Sequence, residues 1–214
     1  MINVKALRYS YQNLDFLYDF CVQKGELVSI TGPSGAGKST LLSLLCGFCE
    51  PVSGEIYLNN ELVNGLEPSK RPLSMLFQEN NLFAHLSVRD NLSLAFSPRY
   101  FWQKQSESES EAILNMSKKL QINELLLRMP EQISTGQAQR VALARALLRK
   151  RPILLLDEPF ASQDRALASS LLELLKELAK EHELTVLMVT HSEEDASFFA
   201  QRRLHVDKGS LREL

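Results

Sequence analysis

Residues 32–39 read Gly32-Pro33-Ser34-Gly35-Ala36-Gly37-Lys38-Ser39, and no other stretch narrows the choice of fold as much. The spacing is G-x-x-x-x-G-K-[ST], preceded by an apolar, strand-like run at 26–31 and followed by helical apolar spacing over 38–48. A loop wraps a phosphate closely only if its backbone turns N–H groups inward, and glycine permits the conformations that this requires. The helix that follows adds the positive end of its dipole. Lys38 supplies a full charge for the β- and γ-phosphates, and Ser39 offers a hydroxyl to Mg²⁺. The expected phosphate-binding set is Gly32, Pro33, Ser34, Gly35, Ala36, Gly37, Lys38, Ser39 and Thr40. The plain alternative is a glycine turn before a helix that binds nothing; the strand–loop–helix context weighs against it.

The rest of the chain supplies a fold around that loop. Leu14, Phe16, Tyr18, Phe20 and Val22 recur at period two, as in a strand with one buried face. Residues 54–58 read as another strand, Asn59-Asn60 as a turn, and 73–77 as a short buried strand. Ser87, followed three residues later by Asp90, resembles a helix cap. The alternating Ser106-Glu107-Ser108-Glu109-Ser110-Glu111 reads as a solvated loop and helix start, amphipathic up to 127. Beyond it come a continuous apolar strand at 153–156 and a helix at 166–181. That helix is expected to bury Leu167, Leu171, Leu174, Leu175 and Leu178. A strand at 185–189 and a helix at 192–200 follow. Strands separated by helices imply a parallel sheet covered on both faces. The reading is an α/β chain with a mostly parallel sheet core, an N-terminal antiparallel β part and a helical subdomain. It is one domain over 1–214, with its core at about 1–83 and 151–214 and the helical part at about 84–150.

Composition excludes some partners. With 24 basic and 26 acidic side chains, the net charge of −2 leaves no footprint for nucleic acid or for simple adsorption to anionic lipid. The cysteines Cys21, Cys46 and Cys49 are odd in number and lack zinc spacing, so they are expected to be reduced thiols in a cytosolic protein. Polar residues from Asn3 and Lys5 onward argue against a signal peptide. No stretch approaches the roughly 20 apolar residues of a membrane span. If the chain serves a membrane, it does so from the water side through a partner.

A second group of residues points at the same edge of the sheet. The apolar run 153–156 ends in Asp157-Glu158. A buried parallel strand delivers its last residues to the carboxyl edge, where ligands bind. Asp157 is expected to hold the Mg²⁺ shell and Glu158 to polarise the attacking water. The competing reading is a strand that ends in two solvated acids. His191 follows the strand at 185–189 as a donor toward the γ-phosphate, although a lone histidine there is more often structural. Gln78 ends the run 73–77 as a contact for Mg²⁺ or the water.

Ile133-Ser134-Thr135-Gly136-Gln137-Ala138-Gln139-Arg140 then separates the P-loop classes. It resembles the signature LSGGQxQR. Together with the phosphate loop, Gln78, Asp157-Glu158-Pro159 and His191 in that order, it makes the whole chain resemble an ABC transporter nucleotide-binding subunit. The run 137–150 is strongly helical, so Ser134, Gly136 and Gln137 form an anion site at a helix start. In this family that site faces the γ-phosphate held by a second copy, so ATP is sandwiched in a homodimer that closes on binding and opens on hydrolysis. The resemblance also implies that Tyr11 stacks on adenine; a strand aromatic in the core remains the alternative, with Tyr9 as competitor. Two departures stand out. Thr135 replaces a usual glycine with a β-branched residue that restricts the backbone, and Ala161-Ser162-Gln163-Asp164 replaces the usual SALD while keeping Asp164.

Within the family, the stretch from Arg71 to Val88 around Gln78 is most similar to ATP-binding subunits of bacterial thiamine importers. The resemblance implies an integral membrane permease, a periplasmic substrate-binding protein acting indirectly, and a peripheral place on the cytoplasmic face of the bacterial inner membrane. It implies ATP and Mg²⁺ as cofactors and thiamine or its phosphates as cargo. The short stretch after His205 leaves no room for the C-terminal regulatory domain of related sugar and metal importers. Another small solute, or a non-transport ABC ATPase on ribosomes or DNA, is the competing reading. The latter usually needs two ATPase domains or a long coiled-coil insertion, and neither fits 214 residues.

Overall fold

A computed structural model describes residues 1–11, 14–79, 81–97, 106–161 and 163–214. It divides into two compact units, Met1–Met75 with Arg151–Leu214, and Leu76–Lys150.

The first unit is built on a mixed sheet. Strands β1 (Ile2–Tyr11) and β2 (Leu14–Val22) pair antiparallel, with Tyr9 opposite Phe16 and Leu7 opposite Tyr18. A bulge between Val4 and Leu7 puts Ala6 at φ 43°, and the Asp19 carboxylate accepts its N–H at 3.0 Å. The alternation of β2 holds for Phe16, Tyr18, Phe20 and Val22, which are buried. Leu14 breaks it: at the hairpin tip it is 55% exposed, because there the pleat has outrun the core beneath it. Strand β4 (Ser53–Leu58) flanks β1, and the left-handed pair Asn59 and Asn60 turns it into the short β5 (Glu61–Leu62).

The parallel part contains β3 (Leu27–Thr31), β7 (Ile153–Asp157) and β8 (Thr185–Val189), all buried throughout. Their continuous apolar runs reflect cover on both faces. Strand β6 (Leu73–Leu76) ends before Phe77, which is exposed, one residue earlier than the apolar run suggests. Strands β9 (Arg202–Asp207) and β10 (Ser210–Glu213) form a hairpin that inserts between β3 and β2. The order is β5-β4-β1-β2-β10-β9-β3-β8-β7-β6.

Helix α1 (Lys38–Cys46) buries Leu41, Leu42, Leu44 and Leu45. Its carboxyl end is closed by the buried Arg71, whose Nη1 donates to Leu44 O and Leu45 O at 2.7 Å each. Two further helices of this unit lie downstream, α5 (Arg165–Glu181) and α6 (Glu193–Phe199), capped by Asp164 and Ser192. The buried face of α5 is Ala168, Leu171, Leu172, Leu175, Leu178 and Ala179. Leu167 and Leu174 are only half-buried, so the expected stripe is rotated toward Leu172.

The second unit holds α2 (Val88–Ser93), α3 (Glu107–Lys119) and α4 (Thr135–Leu148). Ser87 caps α2, and the Ser–Glu run starts α3 with a capping box between Ser106 and Glu109. Asn91, fully buried, donates to Phe83 O and Leu86 O and accepts from Phe83 N, which fixes the turn before α2. Among the described residues no helix is long and apolar enough to cross a membrane.

Candidate functional site

Strand β3 delivers the phosphate loop. Gly32, at φ 144°, lies against β9 so closely that a Cβ there would stand 2.1 Å from Val206 O. Gly37, at φ 108°, precedes α1; a Cβ there would meet Tyr18 Oη at 2.4 Å and the Phe16 ring at 2.6 Å. No other residue type fits either position.

Four carbonyls of this loop, those of Gly32, Pro33, Ala36 and Gly37, are occupied. Ala36 O accepts from Gly209 N at 3.3 Å. Gly37 O accepts from Tyr18 Oη and from Leu41 N, both at 2.9 Å. Lys38 is only 7% exposed, and its ammonium donates to Gly32 O at 2.7 Å and Pro33 O at 2.9 Å. The backbone N–H groups of residues 37–40, by contrast, have no hydrogen-bond partner among the described residues, and no side chain caps α1. Four carbonyls tied off and the amides left open give the start of α1 the character of an anion site. Ser34, Gly35 and Ser39 are exposed beside it.

The sheet register brings the acids to this edge. Ile30 pairs with Val189, and Val189 with Asp157, so the three form one row across β3, β8 and β7. The next row is stitched by Thr190 N to Ile30 O at 3.1 Å and Glu158 N to Val189 O at 2.9 Å. Asp157 is 7% exposed and its Oδ1 has no hydrogen-bond partner among the described residues. Burial pushes its carboxyl up from the ordinary value; a hydrogen bond from Ser39 pulls it back, Glu158 adds to the rise, and Lys38 opposes it. Ser39 and Asp157 are therefore together. A hydroxyl beside a buried, under-satisfied carboxylate is a hard-oxygen donor pair, and it fits Mg²⁺ with the rest of the shell from water and phosphate.

Glu158 adopts φ 47°, uncommon for a non-glycine residue and typical of strained functional positions. Its Oε2 lies 3.0 Å from His191 Nδ1. The Thr190 hydroxyl accepts from Ser192 N at 3.1 Å and so shapes the turn that carries His191.

Tyr11 and Tyr9 are now distinguishable by environment. Beyond the bulge, Leu7, Tyr9 and Tyr11 share a face of β1, the face on which Phe16 and Tyr18 of β2 lie. Tyr9 packs against the core, whereas Tyr11 is 57% exposed at the free end of that face. Tyr18 was legible only as a core residue; its hydroxyl contact with the loop leaves no signal in the spacing. Ser162 of the Ala161 to Asp164 segment lies outside the described residues, as does Asn80 beside Gln78; Asp164 caps α5 through Leu167 N at 3.0 Å.

The remaining expected residues belong to the second unit. Gln78 is exposed just past β6. Helix α4 begins at Thr135, two residues earlier than its apolar pattern suggests. Ser134 is its cap: Ser134 Oγ accepts from Gln137 N at 3.2 Å while Gln137 Oε1 accepts from Ser134 N at 2.9 Å. Gly136 sits in the first turn. Thr135 there takes ordinary helical geometry, so its β-branch imposes no backbone strain.

Known proteins with these features converge. Residues 17–161 match the family model described as ABC transporter. The thiamine import ATP-binding protein ThiQ of Photobacterium profundum is 47% identical, covering 99% of this chain and 90% of that one. The protein of the same name from Aliivibrio fischeri is 47% identical, covering 100% and 93%. Among solved structures, a bacterial ABC transporter cassette in dimeric form superposes with a TM-score of 0.88 at 32% identity, covering 100% of this chain and 98% of that chain. The same cassette bound to ADP and Pi, in a post-hydrolysis dimer, gives 0.87 at 31% identity, again covering 100% and 98%. With its fold, its motif order and full-length relatives in agreement, the chain belongs to the ABC transporter family, as one of its ATP-binding cassettes.

Proposed function

We propose that the chain is the ATP-hydrolysing subunit of a bacterial importer, acting as a homodimer beneath an integral membrane permease to drive thiamine uptake. The observation that carries the ATPase reading is the meeting of open amides at residues 37–40 with the under-satisfied Asp157 carboxylate and the Ser39 hydroxyl.

The chemistry follows from the residues. Phosphate oxygens draw Lys38 from its two carbonyls, exchanging neutral acceptors for charged ones and giving shorter, stronger bonds. The open amides of α1 complete the cradle. Ser39 and Asp157 would hold Mg²⁺, which would supply positive charge against the negative charge that develops on the transferring phosphate. Glu158 orients and polarises the attacking water. His191 Nδ1 lies 3.0 Å from Glu158 Oε2 in the free chain, and on this reading the histidine donates toward the γ-phosphate once nucleotide is bound. Tyr11 offers an exposed ring to adenine. Such a site works by positioning and electrostatics, with little covalent chemistry from the protein. The family's motifs, rather than geometry within one unit, assign Gln78 to metal and water and assign Ser134, Gly136 and Gln137 to the nucleotide of the other copy.

Cargo and partners rest on the relatives. Chains named thiamine import ATP-binding proteins match essentially the whole length at 44–47% identity. On this reading the subunit lies on the cytoplasmic face of the inner membrane, the permease docks near Gln78, and a periplasmic binding protein presents thiamine from the other side. The test is growth at limiting external thiamine of a strain that cannot make it and lacks this chain. Growth should fail and return with the wild-type chain but not with Glu158→Gln. Normal uptake without the chain overturns the thiamine assignment.

A further inference from the structure

We infer that Tyr18 is a positioning residue for the phosphate loop: its buried hydroxyl fixes the Gly37–Lys38 peptide so that the Lys38 amide faces the phosphates, an inference that rests on the nucleotide-binding reading above. Tyr18 is fully buried on β2, among the largest side chains without exposed surface. A phenol buried without a partner is costly, and this one donates to Gly37 O at 2.9 Å. Packing alone does not call for the hydroxyl, since phenylalanine presents the same ring to the core. The hydroxyl is thus aimed at one acceptor, and that acceptor lies in the loop.

The acceptor matters because of what lies across the peptide from it. A trans peptide is planar, with its C=O and N–H pointing in opposite directions, and no peptide among the described residues is cis. Drawing Gly37 O toward β2 therefore turns Lys38 N–H away from β2, onto the open side of the loop. Gly37 needs such a tie more than another residue would. It has φ 108° and ψ 6°, and glycine carries no side chain to bias it toward that region. The helical bond from Leu41 N to the same carbonyl constrains the helix side. The Phe16 ring and the Tyr18 hydroxyl, both within 2.6 Å of where a Cβ would stand, constrain the hairpin side. The loop is thus held in its binding geometry before nucleotide arrives, which lowers the ordering cost of binding.

The experiment is calorimetric titration of ADP into the full chain as wild type, Tyr18→Phe and Lys38→Ala, with thermal midpoints measured without nucleotide. Tyr18→Phe should bind ADP about three- to tenfold more weakly, the scale of one neutral hydrogen bond, with a midpoint within a few degrees of wild type. In ATP hydrolysis it should raise KM by a similar factor while kcat moves less than twofold. A merely structural role would lower the midpoint and leave affinity alone. If wild type binds ADP, Lys38→Ala does not, and Tyr18→Phe matches wild type, the role of the hydroxyl is overturned and the ATP site stands. If wild type itself binds no ADP, the nucleotide reading falls and this inference with it.

Discussion

Two helices that the motifs assign to phosphate begin in opposite ways. Helix α1 starts at a glycine, with no side-chain cap, no acid in its first turn and, among the described residues, no partner for the amides at 37–40. Helix α4 starts at Ser134 inside a complete capping box with Gln137. With glycine at the cap position this start gives up only a few tenths of a kcal/mol against a serine cap, and it leaves the first amides open to an anion. The end of α1 is therefore open before nucleotide arrives. At the end of α4 the capping box engages Ser134 Oγ with the Gln137 amide in the free chain, so on the proposed function Ser134 Oγ is shared or released to meet a phosphate. On the proposed function, α1 is then the resident binding site and α4 the one that engages second in an ATP-driven dimer.

The strongest way to break this division is to stop the chemistry while sparing both helix ends. Glu158→Gln touches neither cap. It should lower hydrolysis by about 10²–10⁴-fold, the usual scale for a general base, while ATP still binds. Light scattering or gel filtration with ATP should then detect a lasting dimer, because α4 engages and is not released. Normal turnover in this variant would remove Glu158 from the water and leave the strained φ of 47° without a function.

Next in size is the cost of keeping the α1 site open. Asp157 is buried with Oδ1 unpartnered, and burial holds its carboxyl above the ordinary value. Burial penalises the ionised carboxylate more than a neutral amide of the same shape. Asp157→Asn should therefore raise the unfolding free energy of the nucleotide-free chain at neutral pH, even as it removes Mg²⁺-dependent hydrolysis. The pH dependence has a definite sign. In the window between the ordinary carboxyl value and its raised value in the fold, the folded chain keeps a proton that the unfolded chain has lost, so wild-type stability rises as pH falls. The advantage of the asparagine should shrink through that window and vanish below it. Denaturant titrations of both chains from neutral to acidic pH would measure the gap, and a gap that widened on acidification would contradict the account.

At the closed end, Ser134→Ala removes the cap and should destabilise α4 locally by about 0.5–2 kcal/mol. Faster amide exchange confined to residues 135–138 would record it. The same change in the Glu158→Gln background should weaken the ATP-dependent dimer by more than the helix loses. An equal loss in both measurements would reduce Ser134 to a cap.

The contrast between the two ends explains what could be read from the residues. The phosphate loop was legible because its requirement is local: Gly32 and Gly37 occupy positions where a Cβ collides with Val206 O or Tyr18 Oη. Asp157 was legible because β7 is buried on both faces and must end in something polar at the sheet edge. The start of α4 was missed by two residues, although Ser134 and Gln137 have capping-box spacing, because apolar periodicity begins only after the cap. The face of α5 was misjudged for a related reason: leucines at 167, 171, 172, 174, 175 and 178 satisfy more than one helical stripe, and only the packing partner selects Leu172. The insertion of β9 and β10 between β3 and β2 is a pairing distant in sequence, and no local pattern encodes it.

The smallest expected effect concerns Thr135, the departure from the family's usual glycine. In the loop of α1 such a change would be fatal, since Gly37 needs φ 108°. At α4 the same substitution falls on the first helical residue, in an ordinary backbone region. Threonine is only a modest helix former, but glycine is worse by a few tenths of a kcal/mol. Thr135→Gly should therefore lower stability by about 0.3–0.5 kcal/mol and leave ATP-dependent dimerisation within about twofold. Chemical denaturation and dimer titration in the Glu158→Gln background would measure both. A tenfold change in dimer affinity with unchanged stability would mean that the threonine side chain itself meets the other copy. The tolerance of α4 would then be a property of the interface, and the comparison of helix starts would no longer account for it.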